Sequence, residues 1–148
     1  MAVYKGKGMV KGRGEGPALV TTKPLNLAAS FTKIANLFRR GEVRDRHHEL
    51  FGKNVTGTVL VFPTCIGSTL TGLVVLELAH RHAAPAAMIV RTADPLLVSG
   101  ASGADVWYGC GVPIIEYKGD DFYAAVSNGS IVIADANTGE ITLKDSSE

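Results

Sequence analysis

The stretch from residue 55 to 90 constrains the fold most. VTGTVLVF at 55–62 is a nearly continuous apolar, β-branched run, the pattern of a strand covered on both faces. Pro63 ends it. TLTGLVVLELAHRH at 69–82 then spreads apolar residues so widely around a helical period that most faces of that helix must be covered. A second strand-like run at 86–90 follows, and Asp94-Pro95 opens another helix, with an N-cap residue and proline at the first helical position. Residues 113–117 read as one more strand. Buried strands alternating with helices define an α/β core.

The flanks are less regular. AASFTKIANLFRR at 28–40 places Phe31, Ile34, Leu37 and Phe38 at three- and four-residue spacing before Gly41, which predicts a short amphipathic helix. EVRDRHHELFGK at 42–53 is polar and irregular, GDDFYAAV at 119–126 suits a short helix, and SIVIADANTGEITLK at 130–144 reads as a hairpin around Asn137-Thr138-Gly139. The glycines of KGKGMVKGRGEG at 5–16 alternate with charge, yet they precede a strand-like segment at 18–22 and lack the helix and the Lys-Ser or Lys-Thr of a phosphate loop. They read as a flexible entry. The expected organisation is a flexible segment at 1–11, one domain at 12–143 and a frayed tail at 144–148.

A net charge of +1 over 148 residues gives no electrostatic reason to expect nucleic acid or an anionic membrane as partner. No apolar run reaches the roughly 18 residues of a membrane span, and the N-terminus lacks the apolar core of a signal peptide, so a soluble, cytoplasmic protein is expected. The two cysteines, Cys65 and Cys110, are too few for a disulfide framework or a four-thiolate metal site, and no metal set is expected in this chain. His80 and His82 read as the exposed end of a helix; His47 and His48, beside Asp45, are candidates for contacting a ligand.

FPTCIGSTLTG at 62–72 carries the chemistry. A strand that stops at Pro63, a loop of small residues and a helix starting near Thr69 put Ser68 at a helix N-terminus, where unpaired N–H groups and the helix dipole favour negative charge. Ser68 as a plain N-cap and Ser68 as an oxygen facing a cleft are compatible readings. Cys65, in the same loop, becomes a nucleophile if the helix end lowers its pKa.

GRGEGPALVTTKPL at 12–25, DRHHELFGKNVTGTVLVFP at 45–63, Gly67-Ser68 and APAAMIVRTADPLLVSGA at 84–101 stand in an order and spacing that resemble the small subunit, or swivelling domain, of the aconitase X family. The resemblance covers nearly all of 12–117, and the hairpin is similar to the end of family swivel domains. It implies a swivelling β/β/α domain with a C-terminal β-hairpin. It also implies a hydro-lyase inactive alone, whose site is shared with a large subunit bearing the iron–sulfur cluster. This chain holds no cofactor of its own in that scheme. The family's reaction removes water from a hydroxylated carboxylic acid. The serine after the loop glycine, here Ser68, is its catalytic base, and the cluster is the Lewis acid for the departing hydroxyl. Gly67, Thr69, Cys65, Asn26 and His47 are the residues expected around the substrate.

The family's substrate classes are cis-3-hydroxy-L-proline and 5-phosphomevalonate. Where family members commonly carry Arg or Lys before Gly-Ser, this chain has Cys65-Ile66-Gly67, and Asn26-Leu27-Ala28-Ala29 replaces an aromatic-glycine segment. An uncharged loop offers no cation to a phosphate, so cis-3-hydroxy-L-proline is the expected substrate. The alternatives are 5-phosphomevalonate, or a stand-alone ligand-binding domain without catalysis. The partner is expected to cover an apolar surface near residues 26–38.

Overall fold

A computed structural model describes residues 1–32, 40–67 and 69–144. Its strands are β1 (Ala2–Lys5), β2 (Lys7–Val10), β3 (Arg13–Val20), β4 (Val59–Phe62), β5 (Ala87–Val90), β6 (Ile114–Glu116), β7 (Ile131–Asp135) and β8 (Glu140–Leu143). The helices are α1 (Leu27–Phe31), α2 (Thr71–His80), α3 (Pro95–Tyr108) and α4 (Asp120–Ala125). The eight strands lie side by side in the order β1-β8-β7-β3-β4-β5-β6-β2. The two edges are therefore consecutive strands separated by Gly6 alone, so the sheet must curl until its edges meet. The Gly6 amide donates to the Gly139 carbonyl at 2.8 Å, where the β1–β2 turn reaches the β7–β8 hairpin. The result is an α/β domain around a nearly closed sheet.

The strands β3, β4, β5 and β6 are mutually parallel, and β7, β8, β1 and β2 pair antiparallel around them. Alternation along the parallel strands explains their unbroken apolar character. Leu60, Phe62, Met88, Val90 and Ile114 join the core under α2 and α3, while Val59, Val61, Ala87, Ile89 and Ile115 join Phe122, Val132 and Ile141 in the core inside the curl. α2 and α3 are the crossovers from β4 to β5 and from β5 to β6, and they touch through glycine. A Cβ added to Gly100 would lie 2.3 Å from the Gly72 carbonyl oxygen.

Several expectations change at this level. The entry read as flexible forms β1 and β2, which pair with β8 and β6. The strand expected from residue 55 begins at Val59, because residues 55–58 make a turn closed by the Thr58 amide on the Val55 carbonyl. The helix expected over 28–40 is α1, ending at Phe31 with Thr32 as its C-cap; Ile34, Leu37 and Phe38 lie outside the described residues. Of the expected tail, Lys144 still donates its amide to Ile131, and 145–148 lie outside the described residues.

α3 starts as predicted, with the Asp94 carboxylate accepting from the Leu96 and Leu97 amides at 2.8 and 3.3 Å. α2 is less enclosed than its composition suggests. Val74, Val75 and Leu78 are buried, but Leu70 and Leu73 are exposed, as are Leu96, Val106 and Trp107 on α3. The apolar surface expected near 26–38 is buried where described, since Leu27 and Phe31 belong to the core. No helix among the described residues is long and apolar enough to cross a membrane.

Candidate functional site

The site is built where β3 and β4 end. Their parallel register, Ala18 with Val59 through Val20 with Val61, continues past the strands. The Thr21 amide donates to the Val61 carbonyl at 2.9 Å, the Leu25 amide to Thr64 at 3.0 Å, and the Ile66 amide back to Leu25 at 2.9 Å. Leu25 and Cys65 form a parallel bridge. Two loops that would otherwise splay apart are thus zipped together as far as Asn26 and Gly67. The Pro63 carbonyl accepts from the Arg91 and Thr92 amides at 3.0 and 3.1 Å, which ties the same loop to the end of β5. This is the C-terminal edge of a parallel sheet, the edge at which open α/β sheets bind ligands.

A third segment clamps the first. The polar stretch at 42–53 folds as a run of turns, and His48 is buried beneath Pro24. Its Nδ1 faces the Leu50 amide at 3.0 Å and therefore accepts; its Nε2, 3.1 Å from the Pro24 carbonyl, therefore carries the proton and donates. Thr21 donates its hydroxyl to Glu49, and this bond, ahead of the nearby Lys23 ammonium, holds the Glu49 carboxyl below its usual range. His48 and Glu49 thus fix the segment that carries Lys23 and Asn26. The sequence showed the histidine pair but no sign that its members part: His47 is exposed, and among the described residues its amide donates to Asp45 at 3.1 Å.

Asn26 caps α1, its Oδ1 accepting from the Ala29 amide at 3.0 Å. Gly67 has φ +91°, and a Cβ built on it would come 2.7 Å from Asn26 Nδ2, so the two residues are in contact. Thr69 is exposed at the entry to α2, beside Leu73, Leu96 and Trp107. Ser68 lies outside the described residues. α2 begins at Thr71 with Leu70 in the capping position, without a side-chain cap hydrogen bond from Leu70, so the helix starts later than expected. The structure therefore brings Asn26, Cys65, Gly67 and Thr69 to one loop pair and leaves His47 in the outer turn.

Cys65 is not activated. Its side chain sits in the core, and burial, with the Asp94 carboxylate adding to it, pushes the thiol up to about 12. Iodoacetamide at pH 8 is expected to spare Cys65 in the native chain and label it after unfolding; native labelling read by mass spectrometry would contradict this burial. A raised thiol stabilises the fold fully below its ordinary value of 9.0, and that contribution drains as pH climbs toward about 12. The melting temperature should therefore fall between pH 9 and 11, and less steeply in Cys65→Ala.

The described residues do not fit a metal cluster. Cys65 is buried, the half-buried Cys110 thiol donates to the Ala104 carbonyl at 3.9 Å, and no group of three His, Cys, Asp or Glu side chains is placed to hold an ion among the described residues.

An α/β sheet curled to near closure, with a Gly-Ser loop leading into the first crossover helix at the C-terminal edge of its parallel strands, defines a swivel-type domain. Residues 3–143 match the aconitase X swivel domain, and the chain belongs to that family. It is 32% identical over 131 residues to the phosphomevalonate dehydratase small subunit of Methanothermobacter thermautotrophicus, covering 88% of this chain and 92% of that protein. The protein of the same description from Methanocella arvoryzae is 33% identical over 139 residues, covering 94% and 97%. The crystal structure of Thermococcus kodakaraensis aconitase X in its holo-form superposes with a TM-score of 0.83 at 28% identity, over 98% of this chain and all of that one. The curated relatives named here carry a phosphorylated acid in their description. The preference for cis-3-hydroxy-L-proline drawn from the uncharged Cys65-Ile66-Gly67 loop has no support among them.

Proposed function

We propose that this chain is the small subunit of an aconitase-X-type dehydratase acting on 5-phosphomevalonate, with Ser68 as the base. What carries the reading is correspondence along nearly the whole length of relatives described as such subunits. Basic residues also stand at this end of the sheet, with Arg91 paired to Asp120 at 2.8 Å and Lys118 donating to the Arg91 carbonyl at 3.1 Å. Lys23 follows β3, Arg91 follows β5, and Lys118 lies just past β6, all at the edge where the parallel strands end.

In this reading Ser68 takes a proton from the carbon next to the substrate carboxylate, and the hydroxyl on the neighbouring carbon leaves as water. The loop entering a helix of ten residues suits a basic oxygen, since the first turn of α2 presents its N–H dipoles there. Buried Cys65 supports the loop from the core side and Gly67 gives it room. A larger subunit supplies the rest of the site, any iron–sulfur cluster included. The exposed apolar band of Leu70, Leu73, Leu96 and Trp107 starts at the same loop and is the surface that such a partner would cover.

The test is substrate preference in the complex with the large subunit. kcat/KM for 5-phosphomevalonate should exceed that for cis-3-hydroxy-L-proline by about two orders of magnitude, the discrimination expected where charged groups are matched on one ligand and unmatched on the other. The opposite ranking would transfer the assignment to the imino acid.

A further inference from the structure

Asn26 is more than a helix cap. Its Oδ1 is committed to the Ala29 amide, which settles which end of the carboxamide is oxygen and leaves Nδ2 as the other. That nitrogen lies against Gly67, within 2.7 Å of where a Cβ would stand, and it has no acceptor among the described residues. The Leu25–Cys65 bridge and the Ile66 amide on the Leu25 carbonyl hold this contact in register, so the donor is fixed one residue before the candidate base.

We propose that Asn26 Nδ2 donates a hydrogen bond to the carboxylate of the substrate and is a substrate-binding residue of the dehydratase; the proposal rests on the reading of Ser68 as base. The choice of group follows from the chemistry. A base that removes the proton next to a carboxylate has that carboxylate one bond from the carbon it attacks, whereas the phosphate of 5-phosphomevalonate is at the far end of the molecule. A donor beside Gly67 is thus placed for the carboxylate. The close approach also gives Gly67 its reason: a side chain there would displace the amide as well as strain the backbone at φ +91°.

Capping and donation separate cleanly by substitution. Asp and Ser cap a helix about as well as Asn, but neither presents the amide donor, and Asp adds repulsion toward an anion. Asn26→Asp and Asn26→Ser should leave the melting temperature of the chain nearly unchanged. In the complex with the large subunit they should raise KM for 5-phosphomevalonate roughly 10- to 100-fold, the range of a lost hydrogen bond to a charged group, with a smaller change in kcat. KM within twofold of wild type in both variants would overturn the proposal. If the wild-type complex does not turn over 5-phosphomevalonate, the assigned substrate falls. The donor is then read from the dissociation constants of mevalonate and cis-3-hydroxy-L-proline, with the same weakening expected for whichever acid binds. A complex that binds none of these acids overturns both readings.

Discussion

Ser68→Ala, assembled with the large subunit, is expected to turn over 5-phosphomevalonate about 10²- to 10⁴-fold more slowly than wild type, the usual contribution of a positioned base. The loss should fall on kcat, since the hydroxyl acts on a proton in flight and the groups that hold the substrate remain. The fold should survive. α2 is anchored in the core by Val74, Val75 and Leu78. The chain's melting temperature and its affinity for the large subunit provide the control. Turnover within tenfold of wild type in a well-folded variant would remove Ser68 from the mechanism.

The second large effect concerns stability. Gly100→Val should destabilise the isolated chain by about 3 kcal/mol or more, because even the first carbon of a side chain would stand 2.3 Å from the Gly72 carbonyl and backbone has nowhere to yield. The α2–α3 crossing would have to open. That matters for the candidate site because α2 begins at the end of its Gly-Ser loop and Gly72 is in its first turn. Urea denaturation of the variant without its partner measures the effect directly; a midpoint unchanged from wild type would mean that the two helices are not in the contact described. Gly100→Ala, which adds only the one clashing carbon, should give a smaller loss in the same direction.

How much of this was legible in sequence follows from where the forces act. β4 and β5 were readable because both of their faces are buried, one under α2 and α3 and one inside the curled sheet, so neither tolerates a polar position. α3 and the final hairpin announced themselves through Asp94-Pro95 and Asn137-Thr138-Gly139, where the chemistry is local. β1 and β2 gave no such signal. Their partners β8 and β6 lie far along the chain, and a short edge strand of alternating glycine and charge looks like a loose entry until those partners are known.

The same limit governs the site. The Gly-Ser loop could be found from its strand–loop–helix setting, but the clamp of His48 on Pro24 and of Glu49 on Thr21 joins residues more than twenty positions apart through single side chains. No periodicity records such a contact. Cys65 was misjudged for a related reason: proximity to a helix start in sequence says nothing of depth, and depth decides the thiol's state. The leucines of α2 carried another ambiguity, since an apolar face covered by a partner has the same composition as one covered by the chain itself. Leu70, Leu73, Leu96 and Trp107 are exposed in this chain, so the composition of α2 alone overstated its enclosure.

The most direct measurement is an omit-one assay of 5-phosphomevalonate dehydration under anaerobic conditions, with this chain alone, the large subunit alone, and both together. The account predicts activity only when both are present, lost again when the chain carries Ser68→Ala. Equal activity from the large subunit without this chain, or none from a stable complex of the two, would contradict it.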